Sequence, residues 1–144
     1  MRILFISMLL FSSWNLFGQD IEHVYVIDSV KYGKGKVYSN PEVKAQFPGG
    51  YERMNEFFST YFDPYVESNG GMQGEKEGTV EALFIVETNG KVKYVEITKP
   101  LTNLYDEQME SSLKRMPKWS PAMVNGEPVR SFSKYSYSLK FYMK

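Results

Sequence analysis

The sequence has no cysteine, only one histidine and no net formal charge over its 144 residues. The absence of cysteine excludes disulfides, a lipid anchor on an N-terminal cysteine and thiolate metal ligands. His23 is left without cysteine partners, and we interpret it as a surface histidine rather than a metal ligand. The balanced charge gives no indication of a polyanionic partner such as nucleic acid. We therefore predict neither a metal site nor a cofactor.

Catalytic signatures are missing as well. No serine lies in a G-x-S-x-G motif, and the folded part of the chain has no histidine to activate one. The run Gly33–Lys36 alternates glycine and lysine, but it lacks the flanking strand and helix that make a phosphate-binding loop. Carboxylates at helical spacing, such as Glu52 and Glu56, fit a solvated helix face. The sequence therefore predicts a protein that is not an enzyme.

No hydrophobic run reaches the roughly 20 residues that a spanning helix needs. The longest run, Ile3–Phe11, follows the basic Arg2 and precedes a small residue, Gly18, which is the plan of a secretory signal peptide. We predict a signal peptide over residues 1–18, cleaved between Gly18 and Gln19 or one residue to either side. The alternative is a retained membrane anchor.

Residues 19–46 form a leader with weaker signals. A β-prone run spans Val24–Val30, a glycine-lysine turn follows at Gly33–Lys36, and Val37 and Tyr38 make another apolar pair. We expect a partly ordered leader or linker, with room for one short hairpin.

Two amphipathic helices are predicted in the rest of the chain. Apolar residues at helical spacing mark the first helix after Gly50 and the second helix after Asn103, its candidate cap. We expect Pro64 to end the first helix. The apolar positions are Met54, Phe57, Phe58 and Tyr61 in the first helix and Tyr105, Met109, Leu113 and Met116 in the second.

Three strands complete the pattern. Alternation over Thr79–Glu87 predicts the first strand, and Asn89-Gly90 is a strong hairpin signal into a second strand over Val92–Thr98. The apolar positions Val92, Val95 and Ile97 break the alternation of the second strand, which predicts a bulge. Alternation over residues 134–143 predicts a long last strand.

A proline-rich segment, Met116–Val129, joins the second helix to the last strand. Pro117 must end the helix, and the residues after it run extended with Trp119 as the large apolar anchor. Asn125-Gly126 supplies the positive φ angles of a tight turn, and Pro128 permits a strand only at its start or on an edge.

The order of elements is therefore α-β-β-α-β, an α+β fold. A right-handed crossover between the second and third strands gives a three-stranded mixed sheet of order 2-1-3 with both helices on one face. The third strand is then an edge strand, with Lys134 and Lys140 as charged guards. Leu83, Ile85 and Tyr142 are expected on the open face.

Three motifs give the chain a family resemblance. The chain resembles the C-terminal domain of TonB energy transducers, in the form common in Bacteroidetes. That family carries the same three motifs in the same order along the chain. They are F-P-G-G at Phe47–Gly50, the hairpin pattern over Gly78–Ile97 and P-x-W-x-P-A-x-x-N-G-x-P-V at Pro117–Val129. The resemblance covers residues 47–144, which we predict to be a TonB C-terminal-like domain.

The resemblance implies a function. Domains of this family bind an extended segment of a TonB-dependent outer-membrane transporter by pairing it with their last strand. The resemblance therefore implies a periplasmic protein-binding module in transmembrane transport, whose partner is such a segment or another periplasmic protein. The residues that would take this role are Tyr135, Ser136, Tyr137, Ser138, Leu139 and Lys140. A complete transducer also needs a membrane anchor and a long spacer, so we expect binding without force transmission. The alternatives are an assembly module that dimerises through the third strand and a short, membrane-retained energy transducer.

Overall fold

The computed structural model describes residues 25–26, 29–62, 65–66 and 74–143. The predicted signal peptide and His23 lie outside these residues. The elements in chain order are β1 (Tyr25–Val26), α1 (Ser29–Tyr32), β2 (Val37–Tyr38), α2 (Gly50–Ser59), β3 (Tyr65–Val66), β4 (Gly74–Val86), β5 (Val92–Lys99), α3 (Asn103–Lys114), β6 (Ala122–Val124), β7 (Glu127–Val129) and β8 (Ser131–Met143).

Two long antiparallel strands, β4 and β8, make the centre of the sheet. Their register is continuous from Gly74 opposite Met143 to Val86 opposite Ser131. β5 lies on the other side of β4, so the three predicted strands are neighbours in the predicted order. The prediction of a three-stranded sheet was nevertheless wrong, because the described sheet follows the order β1-β2-β8-β4-β5 and β3 also pairs with β8. The added strands have two residues each, too few for alternation to reveal them.

The bounds of several elements differ from the predicted ones. β4 begins at Gly74 rather than Thr79, because pairing with β8 continues through the polar residues Glu75–Glu77. The predicted cap Asn103 is the first residue of α3, and the Thr102 side chain caps the helix by accepting a hydrogen bond from the N–H of Tyr105 at 3.2 Å. α2 ends at Ser59, well before Pro64.

Both long helices pack on one face of the sheet, as predicted. α2 contributes Met54 and Phe58 to the core, and α3 contributes residues such as Met109. The sheet contributes alternate residues of β4 and β8 to the same cluster. The buried members of this core are Phe47, Met54, Phe58, Phe62, Val80, Ala82, Phe84, Val86, Tyr105, Met109, Leu113, Trp119, Tyr135 and Phe141.

The opposite face of the sheet is partly covered near the start of β8. The expectation that Ile85 lies on an open face was therefore wrong. That side chain is fully buried, and Leu83 is half-buried. The leader covers this end: the ring of Tyr32 in α1 packs edge-on against Phe132 in β8 with centroids 5.2 Å apart. The side chain of Tyr142 lies outside the described residues.

Arg130 ties the leader to the sheet. Its guanidinium donates to the Glu87 carboxylate from Nε at 3.0 Å and from Nη2 at 3.1 Å. It also donates to the main-chain carbonyls of Lys34, at 3.1 Å, and of Tyr32. We call this group the Arg130 clamp. It makes the leader part of the same packed unit, and the predicted boundary between residues 46 and 47 remains a prediction.

Candidate functional site

The candidate site is the outer side of β8, the side away from β4. Within the described residues, this side of β8 pairs only near its two ends. β2 pairs in parallel at Tyr38 and Ser131, and β3 pairs in parallel with Tyr142 and Met143. The prediction that the last strand is an edge strand was therefore wrong at both ends of β8, and the stretch between β2 and β3 is what no described strand pairs with.

The hydrogen bonds show which residues of β8 face outward. The N–H of Tyr38 donates to the carbonyl of Arg130 at 2.8 Å, so this carbonyl points away from β4. Main-chain groups alternate sides along a strand, and the β4–β8 register has no shift in β8. The N–H and C=O groups of Lys134, Ser136 and Ser138 therefore point outward, and we call them the open row. No strand of the described part of the chain pairs with this row.

Four of the six predicted site residues do not belong to this row. Tyr135, Tyr137 and Leu139 turn their main-chain groups toward β4 and their side chains toward the helices. Of the other three, Lys140 has further contacts inside the protein. Lys134 was not among the predicted binding residues. It belongs to the row because main-chain groups alternate sides along β8, starting from the outward carbonyl of Arg130.

Aromatic side chains support the row on the helix face. Tyr135 stacks on Phe58 of α2 with centroids 4.1 Å apart, and its hydroxyl donates to Asn55 Oδ1 at 2.6 Å. Burial, with Tyr51 and Tyr137 nearby, raises the pKa of Tyr135. The exposed Tyr51 ring lies 6.3 Å from Tyr135. The strand is therefore held rigidly from one side while its edge stays accessible.

Polar side chains line the other face of β8. Lys134 Nζ forms an ion pair with Glu81 Oε2 at 2.5 Å, and the hydrogen bond between them lowers the pKa of Glu81. The hydroxyls of Ser138 and Thr79 lie 2.8 Å apart. An extended segment on the open row would meet aromatic groups on one side and charges and hydroxyls on the other.

β5, which ends the sheet on the side away from β8, is less suited to strand addition. Its pairing with β4 shifts register twice, which confirms the predicted bulge, and Tyr94 has a φ of 54°. Bulges interrupt the row of main-chain groups that an added strand needs. The regular edge is therefore β8.

A cavity of about 320 Å³ lies at the β2 end of the open row, and we call it the edge cavity. It is bounded by the start of β8, by the segment that follows β2 and by core side chains from α2 and the proline-rich segment. The lining residues are Ser39, Pro41, Lys44, Ala45, Met54, Trp119, Ser131, Phe132, Ser133 and Lys134.

Other kinds of site are not indicated. The described residues contain no group of three or more histidine, aspartate or glutamate side chains that could hold a metal ion. No helix within the described ranges is long and apolar enough to cross a membrane.

Comparison with known families identifies the domain. Residues 71–140 match the family described as the Gram-negative bacterial TonB protein C-terminal. This part of the chain is a TonB C-terminal domain. The match spans β4 to most of β8, including α3 and the proline-rich segment, whereas the leader and α2 lie outside it. No curated protein matches the chain.

The family fits the site geometry. TonB C-terminal domains are non-enzymatic protein-interaction domains that take part in transport. In this domain the open row is a regular run of main-chain donors and acceptors.

Proposed function

We propose that this protein is an exported, periplasmic binding module that docks an extended segment of a TonB-dependent outer-membrane transporter along β8. The observation that carries the proposal is the open row, a regular edge between β2 and β3. A segment that pairs there adds a strand to the sheet, a recurrent mode of peptide recognition. The TonB family match favours a transporter as its source.

The proposed contact is modest in energy. Three outward residues offer about six main-chain hydrogen bonds, each worth about 0.5–1.5 kcal/mol. Ordering a free peptide offsets much of this gain. We expect an affinity of around micromolar, suited to reversible engagement.

Amide-shift mapping of the mature protein tests the proposal. Synthetic peptides from transporter N-terminal segments are titrated into the labelled protein. Amides of Lys134, Ser136 and Ser138 should shift most, and those of β5 should stay in place. A matched peptide with proline at alternate positions should bind much more weakly, because proline has no N–H to donate.

Three outcomes would overturn the proposal or part of it. If the shifts fall on β5 or on the outer helix faces, the docking surface is wrong. If the protein sediments as a dimer, ignores every peptide and shows dimer contacts at β8, the row serves assembly instead. A full-length chain recovered intact in the membrane fraction would replace the exported module by a retained transducer.

A further inference from the structure

We propose that the edge cavity receives an acidic side chain of the segment docked on β8. This inference rests on the proposed function and adds the chemical preference of one position in the partner. The occupant is a carboxylate side chain carried by the docked strand, not a free small molecule.

The position of the cavity follows from the register. Residues opposite each other in paired strands direct their side chains to the same face of the sheet. Ser133 lies on the helix face of β8, with Tyr135, and its side of the strand lines the cavity. A partner residue opposite Ser133 would therefore direct its side chain toward the edge cavity.

The cavity wall contains a hydroxyl without a partner. Ser131 is only 1% exposed, and its Oγ has no hydrogen-bond partner among the described residues. A buried hydroxyl that makes no hydrogen bond destabilises the folded state. An acceptor entering from the edge would satisfy it, and a carboxylate oxygen is a strong acceptor for an O–H donor.

The charge of the cavity wall favours a negatively charged side chain. Lys44 lines the cavity, is exposed and forms no ion pair with the described part of the chain. Lys134 also lines it, but Glu81 at 2.5 Å already neutralises that cation. Lys44 is thus the cation that is left for a partner. A basic occupant would be repelled, and an apolar one would leave the Ser131 hydroxyl unsatisfied.

The walls from the core add an apolar surface. Met54 and Trp119 are mostly buried, yet both reach the cavity. The methylene groups of a glutamate can contact them while the carboxylate lies near Ser131 and Lys44. Such a mixed site suits a long acidic side chain.

A glutamate scan tests this preference. Eight-residue threonine–valine peptides carry one glutamate at successive positions, and each has a glutamine counterpart. Affinities are measured by amide-shift titration against the wild-type protein. We expect one position at which glutamate binds about fivefold more tightly than glutamine, the size of an ion pair of about 1 kcal/mol.

Two charge variants test whether the preference for glutamate over glutamine comes from the edge cavity. Lys44→Gln should remove the advantage of glutamate over glutamine at this position. Lys93→Gln, on the exposed face of β5, changes the net charge equally and should leave the advantage intact. Equal loss in both variants would show only long-range attraction and would overturn the assignment to the cavity.

Ser131→Ala supplies a readout that a purely structural serine would not give. Removing an unsatisfied hydroxyl should leave the thermal midpoint unchanged or raise it, while the affinity for the glutamate peptide falls. A lowered midpoint with unchanged affinity would overturn the role of Ser131 in binding.

Failure of this inference can be told from failure of the proposed function. If peptides shift the open row but glutamate and glutamine bind equally at every position, docking stands and the acidic preference is wrong. If no peptide of the scan or of the transporter set shifts the open row, docking itself is wrong, and the preference falls with it.

Discussion

At the scale of single residues, Trp119 joins the proline-rich segment to the core. Its indole packs edge-on against Phe47 and Phe84, with ring centroids 5.7 and 5.4 Å away. The main-chain N–H of Trp119 donates to the carbonyl of Gly90 at 2.9 Å. Gly90 has a φ of 81°, and a Cβ there would lie 2.1 Å from the Trp119 carbonyl oxygen. The β4–β5 turn and the segment therefore fit together only with glycine at this position.

Trp119→Ala should destabilise the domain by about 3–5 kcal/mol, because truncating a buried tryptophan leaves a cavity. Chemical denaturation of the purified variant measures the loss. Lys118→Ala, at the exposed neighbouring position, is the control and should change stability little. An unchanged stability of Trp119→Ala would mean that the indole contributes little to packing and would point to a role on the surface.

Tyr135 predicts a pH effect on stability. Burial raises its pKa above the ordinary value of 10.0, so the folded state keeps a proton that the unfolded chain releases. Stability should therefore be fully present below pH 10 and fall as pH rises above it. Tyr135→Phe removes this contribution, and its stability should fall less steeply with pH.

Asn55→Ala distinguishes the effect of the raised pKa of Tyr135 from the effect of its hydrogen bond. This change removes the acceptor of the Tyr135 hydroxyl but keeps the phenol. Both variants should lose about 1 kcal/mol near pH 7 for the missing hydrogen bond. Denaturation midpoints between pH 7 and pH 11 should show the wild-type slope in Asn55→Ala and the shallower slope in Tyr135→Phe. Identical slopes in all three proteins would contradict the assignment to Tyr135.

At the scale of elements, alternate residues of β8 should respond differently to proline. The N–H of Ser138 points outward, so Ser138→Pro should remove a docking donor and weaken peptide binding more than it lowers stability. The N–H of Ser133 points to β4, so Ser133→Pro should break the sheet and unfold the domain. Peptide titration and denaturation of both variants test this, with Ser138→Ala as the control for the hydroxyl. Equal loss of stability in both proline variants would show that the N–H of Ser138 is already paired within the protein.

The sequence predicted the elements that local chemistry determines. Asn125 and Gly126 have φ angles of 51° and 75° and form the predicted turn between β6 and β7. Pro128 lies in β7, which among the described strands pairs with β6 alone, so the missing N–H of proline interrupts no larger sheet. Both long helices were likewise predicted from apolar residues repeating at helical spacing. The bulge in β5 was predicted from a break in the alternation of apolar residues.

Long-range pairing could not be read from the sequence. β2 and β3 are two residues long, and their partners on β8 are about 90 and 80 residues away along the chain, too remote for a local pattern to identify. The burial of Ile85 was not predicted either, since its own alternation indicated a surface position. The last strand itself was predicted, but which of its residues face outward followed only from the hydrogen bond of Tyr38.

At the scale of the whole molecule, the leader and the domain behave as one packed unit. β2 borders the open row, and the segment after it forms hydrogen bonds in both directions with Ser120 and Met123. Gln46 and Ser120 exchange two bonds of 2.9 Å. The leader therefore sets where the row begins and shapes one wall of the edge cavity, although it lies outside the family match.

The Arg130 clamp should be the strongest link between the leader and the sheet. Arg130 and Glu87 have side chains only 12% and 15% exposed. Breaking a buried pair by removing one partner costs about 3–5 kcal/mol, because the other charge is left unpaired. Arg130→Gln and Glu87→Gln should each destabilise by an amount in this range. The double variant should lose much less than the sum of the two, since both charges are then gone.

An exposed pair on α2 provides the matched control for this cycle. Arg53 and Glu56 form an ion pair of 3.3 Å with side chains 70% and 68% exposed. The same glutamine changes there should couple by no more than about 0.5 kcal/mol. Limited proteolysis tests the same link directly. Opening the Arg130 clamp should make the leader, around Lys34 and Lys36, sensitive to trypsin while β4 and β8 stay protected. If the Arg130 cycle shows coupling as small as that of the control and the leader stays protected, packing of Tyr32 on Phe132 holds the leader instead of the clamp.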